Sequence, residues 1–575
     1  MYKKLNRQPL SRYMLQVAAL LCVLFSLSAC SDRLLDEEPM DFLTPGNAYT
    51  SESGVLEGIS ALHARVRFHY FSYTDFGVMG WATLGSDVGY VGENPATTSY
   101  LTSYKAMTPT SRWVEDTWNA GYEIIKMANV LIASVTEDDP AIFKDGEAGK
   151  NAYIAEARFF RAWSYRYLVS TYGAVPLLTV PTEEAKADFK RDPVEDIYQQ
   201  MVADYTFAAK YLPAPGEEAA PGRITQGPAW HYLGETYLEM GQADSAIAAL
   251  SHVVNDYHYH LMTERFGQNQ GHDVFGGGDA YYDLFSNGNQ NLTNNTEAMW
   301  VIQVEPFIQG GGDLWTAYIY GPRYFDIGLT PDGKKAFLGT KYNGAYTGYI
   351  DTFSRGTAEF RGTNYVYYDI WKNDQGDTRH ADYNMKRHIY CDNPESKYFG
   401  QPMDEWIHDY GPSRPNLLDT TKIIWPAIHT KFLDPLNYPT VPSLGGGGRT
   451  FKDWYALRFA ETLLLRAEAY IAAGQPALAA ADINKVRQRA HAQPVAPQDV
   501  DIDYVLDERA RELYGEEWRL ITLRRTGTFY DRVKRYNDNP MFPSAEVEPF
   551  HIHWPIPQAE LDLNTDPSFK QNEGY

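Results

Sequence analysis

The 575-residue chain carries 51 Lys and Arg against 74 Asp and Glu, a formal net charge of −23. That balance argues against nucleic acid, whose phosphates need clustered cations, and against a basic patch lying on a membrane surface. At 44% hydrophobic residues the chain is not compositionally disordered, and its length allows an ample core.

The N-terminus holds Lys3, Lys4, Arg7 and Arg12 with no acid before Asp32, then an apolar run over residues 14–27. The run is too short for a comfortable bilayer span of about 20 residues. It reads as a signal peptide over residues 1–29. Leu27, Ser28, Ala29 and Cys30 end it in the manner of a lipobox, with Cys30 as the lipidated residue after cleavage. Ser31 at the next position suits outer-membrane sorting, and cleavage would move the net charge from −23 to −27. Cys22 would leave with the signal peptide, so only Cys391 remains and no internal disulfide is expected. Residues 30–47, with Asp36, Glu37, Glu38 and Pro39, read as a tether, and residues 48–575 as a single domain.

Within that domain, helical periodicity dominates residues 110–260 and 456–536. Trp230, Leu233, Gly234 and Tyr237, a turn at Gly241, then Ala246, Leu250 and Val253 match the tetratricopeptide pattern. A second copy has Leu463, Ala467 and Tyr470, a turn at Gly474, then Ala479, Ile483 and Val486. A looser unit contains Phe160, Trp163 and Tyr167 and ends at Tyr172 and Gly173. Its partner is expected to start with Asp192 as N-cap, Pro193 in the first turn and Glu195 closing a capping box. Residues 113–134 suggest a further helix pair. One helix pair cannot bury its apolar stripe alone, whereas stacked pairs bury a continuous core. The expected fold is therefore mainly α: a tetratricopeptide-like scaffold interrupted by a loop-rich insert over about 260–450, marked by three glycine runs.

Several motifs together resemble the SusD/RagB family. They are Cys30 followed by Leu35-Asp36-Glu37-Glu38-Pro39, and Ala155-Glu156-Ala157-Arg158-Phe159-Phe160-Arg161-Ala162 running to Tyr172-Gly173-Ala174-Val175-Pro176-Leu177. Gly222-Arg223-Ile224-Thr225 also fits. So do Glu508-Arg509, Glu512-Leu513, Glu516, Arg519, Leu523, Arg525 and Gly527, and a terminus with Pro555-Ile556-Pro557, Glu560, Gln571-Asn572 and Gly574-Tyr575. The insert carries almost none of the resemblance. Glu517 and Thr522 depart from the family pattern, at positions read here as packing positions. The resemblance implies a non-enzymatic lipoprotein on the outer membrane, facing the cell exterior. It implies that the protein binds oligosaccharides and delivers them to a SusC-like TonB-dependent transporter. A peptide binder of the same architecture and a repeat scaffold without a small ligand are the alternatives.

The insert is where a ligand site is expected. Between residues 281 and 410, 26 of 130 positions are Phe, Trp or Tyr, against 14% overall. Sugar rings present an apolar face and a hydroxyl rim, which flat aromatic rings and polar side chains meet respectively. Tyr281, Tyr282, Trp315, Tyr318, Tyr320, Tyr324, Tyr365, Tyr367, Tyr368 and Trp371 supply such rings, although for any one of them packing of the insert onto the helices is the simpler reading. The candidate ligand residues are Trp315, Tyr318, Tyr320 and Tyr324 of the insert and Trp81, Asp87, Tyr90 and Asn94 of an early loop region over residues 73–104. Trp81 and Trp315 are the expected ring platforms, with Asp87 and Asn94 for hydroxyls, on one shallow surface. Glu508, Glu512 and Glu516, interleaved with Arg509, Arg511 and Arg519, read as ion pairs on a helix instead of catalytic acids. The pairs His258/His260 and His551/His553 read as ordinary histidines. Asp374 and Asp377, flanking Gly376, have some calcium-loop character but lack a twelve-residue loop ending in Glu. Calcium is therefore a minor alternative and no other metal or cofactor is expected.

Overall fold

The computed structural model describes residues 48–72, 80, 83–92, 103–182, 184–268, 270–271, 273–342, 344–350, 352–374, 376–435 and 449–575. The signal peptide, Cys30 and the tether therefore lie outside the described residues, as do Trp81 and Asn94. Helix α1 (Glu52–Tyr70) begins where the Ser51 hydroxyl accepts from the Gly54 N–H. It buries Val55, Ile59, Leu62, Val66 and Tyr70, a stripe at helical spacing. Then follow α2 (Arg112–Glu137), α3 (Gly146–Tyr172), α4 (Val194–Tyr211), α5 (Gln226–Glu239) and α6 (Ala243–Asp256). After the insert come α7 (Phe459–Ala472), α8 (Pro476–Arg489), α9 (Ile502–Leu513), α10 (Arg519–Arg525) and α11 (Phe529–Tyr536). Among the described residues no helix is long and apolar enough to cross a membrane.

The two repeat units are α5/α6 and α7/α8. Gly234 is required by close approach: a Cβ there would sit 2.5 Å from Leu250 of the partner helix. The units stack on each other across the insert, with Ala246 and Leu250 of α6 meeting Leu465 and Ala469 of α7. Helix α3 is buried on every face from Ile154 onward and ends at Gly173, whose φ of 72° suits a residue without a Cβ. The expected cap at α4 is corrected. Pro193 holds the N-cap position, and the Asp192 carboxylate instead accepts from the Leu177 N–H at 2.6 Å. Asp192 thus ties the chain entering α4 to the segment leaving α3.

Trp163 of α3 is the hub that joins both ends of the chain. Its ring centroid lies 5.0 Å from Tyr70, 5.5 Å from Trp300 and 5.0 Å from Trp518. The insert is stapled at its base by an antiparallel pair, β2 (Ala298–Ile302) against β4 (Trp454–Arg458). Higher up, β1 (Gly89–Val91) of the early loop region pairs with β3 (Phe360–Gly362) of the insert.

The late motif is buried beneath the insert. Glu508 meets Arg379 at 2.7 Å, Arg487 at 2.9 Å and Arg511 at 3.0 Å. Glu512 meets Arg379 at 3.1 Å, Arg458 at 3.0 Å and also Arg489. Glu516 meets Arg458 at 2.6 Å and Lys431 at 2.8 Å. The expectation of ion pairs was right, but their place was not. Only Arg511–Glu508 runs along a helix; the rest tie α9 and Glu516 beyond it to the insert, to Arg458 of β4 and to α8. Burial alone would raise the Glu508 pKa, but Arg379, Arg511 and Arg487 outweigh it and hold it at about 2. Glu517 is likewise no packing position. It pairs with Arg509 at 2.6 Å and Arg519 at 2.8 Å, and the Thr522 hydroxyl donates to it at 3.2 Å. The two departures from the family pattern thus complement each other.

Candidate functional site

The short helical turn Thr316–Tyr320 is buried except for Tyr318. Before it, Leu314 bridges to Thr450 through reciprocal backbone bonds of 2.9 and 2.6 Å, which brings Arg449 and Phe451 alongside Asp313 and Trp315. Trp315 and Tyr318 are half-buried and meet edge to face at 5.0 Å. The Trp315 indole N–H donates to Asp313 at 3.2 Å. The Arg449 guanidinium lies 4.6 Å above the Trp315 ring and 3.4 Å from the Asp313 carboxylate. Two residues further on, Phe451 stacks on Phe307 at 6.0 Å. Phe307 is 74% exposed and adopts a φ of 64°, in a turn closed by the Glu305 N–H donating to the Gly311 carbonyl. Arg355 stands over the Tyr318 ring at 5.5 Å. Rings with apolar faces, guanidinium donors and one carboxylate acceptor together suit a polyhydroxylated ligand laid on a surface.

Of the expected ligand residues, Trp315 and Tyr318 lie on this face. Four others do not. Asp87 is fully buried, its carboxylate held by Arg519 at 2.7 Å and Arg532 at 2.8 Å. Burial would raise its pKa, but the two guanidinium groups outweigh that and hold it at about 2. Tyr90 is buried in β1, its hydroxyl donating to the Thr421 carbonyl at 3.2 Å, and burial raises its pKa. Tyr320 is buried and stacks parallel on Phe432 at 3.8 Å. Tyr324 is buried; its hydroxyl donates to the Ser354 carbonyl at 3.1 Å and accepts from the Ile350 N–H at 2.8 Å. Tyr324 therefore braces the loop that carries Arg355, a supporting role. Tyr281, Tyr365, Tyr367 and Trp371 are buried as packing residues.

Asp313, Arg449, Arg355, Phe307 and Phe451 were not anticipated. A signal existed for some of them: Phe307 precedes the run Gly310–Gly312, and Arg355 precedes Gly356. The minor calcium alternative finds its two acids already paired. Asp374 pairs with Arg487 at 2.8 Å and Asp377 with Arg379 at 2.5 Å, so arginines already neutralise both carboxylates. His551 accepts from the Glu548 N–H at 2.8 Å and closes a turn. A cavity of about 550 Å³ lies elsewhere, between the 215–223 loop and residues 290–301, and none of the expected ligand residues lines it.

Residues 278–575 match the model of the SusD family, and residues 90–238 match one described as starch-binding associating with outer membrane. The chain belongs to the SusD family. The matched stretch takes in most of the insert, which overturns the expectation that the insert stands outside the family's pattern. A SusD-like protein of Formosa agariphila, P25, is 23% identical over 94% of this chain and 95% of its own length. The starch-binding protein SusD of Bacteroides thetaiotaomicron is 34% identical over 20% of this chain and 21% of its own. Among solved structures, a laminarin-binding SusD-like protein superposes with a TM-score of 0.65 at 21% identity, covering 92% of this chain and all of the other. A SusD homologue from Bacteroides thetaiotaomicron gives 0.70 at 20% identity, over 92% and 98%. These structures share the helical fold with this chain.

Proposed function

We propose that this SusD-family protein is a non-catalytic glycan-binding protein of the cell surface. It captures oligosaccharides on the Trp315–Tyr318 face and delivers them to a TonB-dependent transporter of the outer membrane. The carrying observation is that face itself: two half-buried rings with Asp313, Arg449 and Arg355 around them. Relatives named for starch and laminarin binding support the same reading. The buried Glu508, Glu512 and Glu516 of the late motif are each matched by arginines, as acids in a structural network are. Attachment runs through lipid on Cys30, with the rest of the chain facing outward.

An open face fits the task, since cargo must leave as readily as it arrives. A ring contact contributes on the order of 1 kcal/mol, by analogy with aromatic pairs. Two or three rings with several hydrogen bonds correspond to roughly micromolar to millimolar affinity. Calorimetric titration of the full chain against plant and host oligosaccharides tests this, with Trp315→Ala as the control. One glycan class should bind and lose about tenfold or more in affinity with the variant. Binding of peptides alone, or glycan binding indifferent to Trp315, would defeat the assignment.

A further inference from the structure

The loop 354–358 is built in an unusual way. Ser354 and Ala358 adopt φ of 59° and 51°, the left-handed region that residues with a Cβ avoid. Between them, Gly356 packs against Gly321 so closely that a Cβ would sit 2.1 Å from the Gly321 carbonyl oxygen. The loop is clamped onto the Thr316–Tyr320 turn. The Thr357 N–H donates to the Tyr318 carbonyl at 2.7 Å, and the Ala358 N–H to the Gly321 carbonyl at 2.7 Å. Tyr324 ties its base from below. Two residues in the left-handed region, held by these bonds, fix where the loop stands. What the loop displays is Arg355, exposed, with its guanidinium 5.5 Å from the Tyr318 ring.

Arg355 differs from five arginines around the late motif. Arg379, Arg458, Arg509, Arg519 and Arg532 are buried and each meets a carboxylate. Among the described residues Arg355 makes no ion pair and no side-chain hydrogen bond. Arg449, on the neighbouring ring, shares the single carboxylate of Asp313. Glu359, just before β3, is half-buried. Among the described residues the face therefore carries two guanidinium groups over two rings, with the one carboxylate of Asp313 beside Arg449, on a chain of net charge −23. An acidic protein repels acidic polymers at long range, so a local excess of cations has a selective effect. A guanidinium fork also matches carboxylate and sulfate oxygens with paired hydrogen bonds, which a neutral hydroxyl cannot equal.

We propose that this face takes an acidic glycan, whose carboxylate or sulfate is held by Arg355 with Arg449 adding charge beside it, while a sugar ring lies against Trp315 and Tyr318. This rests on the glycan-binding reading above and narrows its ligand class. The test is calorimetry on the full chain with four probes: oligogalacturonate for carboxylate, sulfated dextran oligomers for sulfate, neutral laminarin oligomers, and polyglutamate as an acidic polymer without sugar.

One of the two acidic glycans should bind more tightly than laminarin, and raising salt from about 50 to about 500 mM should weaken it severalfold. Arg355→Ala should cost about tenfold or more in affinity, Arg355→Lys should restore part of it, and neither should alter the thermal midpoint. The inference is overturned if laminarin binds as tightly as both acidic glycans, if polyglutamate matches them, or if Arg355→Ala binds as the parent does. Laminarin binding that depends on Trp315 but not on Arg355 would overturn this inference and leave the glycan-binding reading standing. Failure of every glycan to bind would end both.

Discussion

Asp87→Ala separates two roles for one residue. On sequence grounds Asp87 was a candidate for contact with sugar hydroxyls, whereas the structure buries it fully and surrounds it with Arg519 and Arg532. Three charge-assisted bonds of 2.7–2.8 Å end on its two oxygens. Arg519 keeps Glu517, and Arg532 keeps Asp503 and Asp507. The variant therefore weakens two buried cations without stripping either of every partner. Breaking a buried ion pair from one side typically costs about 3–5 kcal/mol. That is a large part of the roughly 5–15 kcal/mol that holds a folded domain together. Urea unfolding followed by circular dichroism should show a loss of this size, with glycan affinity unchanged in the folded fraction. A variant as stable as the parent that has lost glycan binding would refute the structural assignment and restore the sequence-based one.

Acid should unfold the protein through its buried carboxylates. Asp87, Glu156, Glu235 and Glu508 are each held at about 2 by adjacent cations, which outweigh burial. Folded pKa values below the unfolded ones of about 4 mean stability fully present at neutral pH and lost as pH falls from about 4.5 toward 2; a melting temperature flat across that range would contradict it. Gly356→Ala should weaken glycan binding by moving the Arg355 loop, because the new methyl collides with the Gly321 carbonyl. Equal affinity in that variant would mean the loop is not part of the site. Cys30→Ala should move the protein from the membrane to the soluble fraction, since stable anchoring takes more than one acyl chain; a variant that still fractionates with outer membranes lacking the transporter would rule out the lipid anchor.

The helical scaffold was legible because its signals are local. Gly234 and Leu250 lie sixteen positions apart in adjacent helices, and the same spacing pattern recurs around Gly474. The site was legible only in part. High aromatic density pointed to the insert for the candidate site, and there Trp315 and Tyr318 are half-buried and not enclosed. The same density could not tell Tyr318 from Tyr320 two positions later, because Phe432, which buries Tyr320, lies over a hundred residues away in the chain. Asp87 failed for the same reason, since its partners Arg519 and Arg532 belong to the far end of the chain. Short polar side chains in a glycine-containing stretch look solvent-facing until distant cations are brought to them. Arg355 escaped notice because backbone strain and ring proximity leave no periodic trace.

The decisive measurement is a crystal structure of the full chain with a bound oligosaccharide from the class that calorimetry selects. A sugar ring should lie within about 4 Å of the Trp315 or Tyr318 side chain, with an oxygen of the glycan hydrogen-bonded to Asp313, Arg449 or Arg355. A glycan ordered in the cavity between the 215–223 loop and residues 290–301, with the Trp315 face bare, would contradict the assignment.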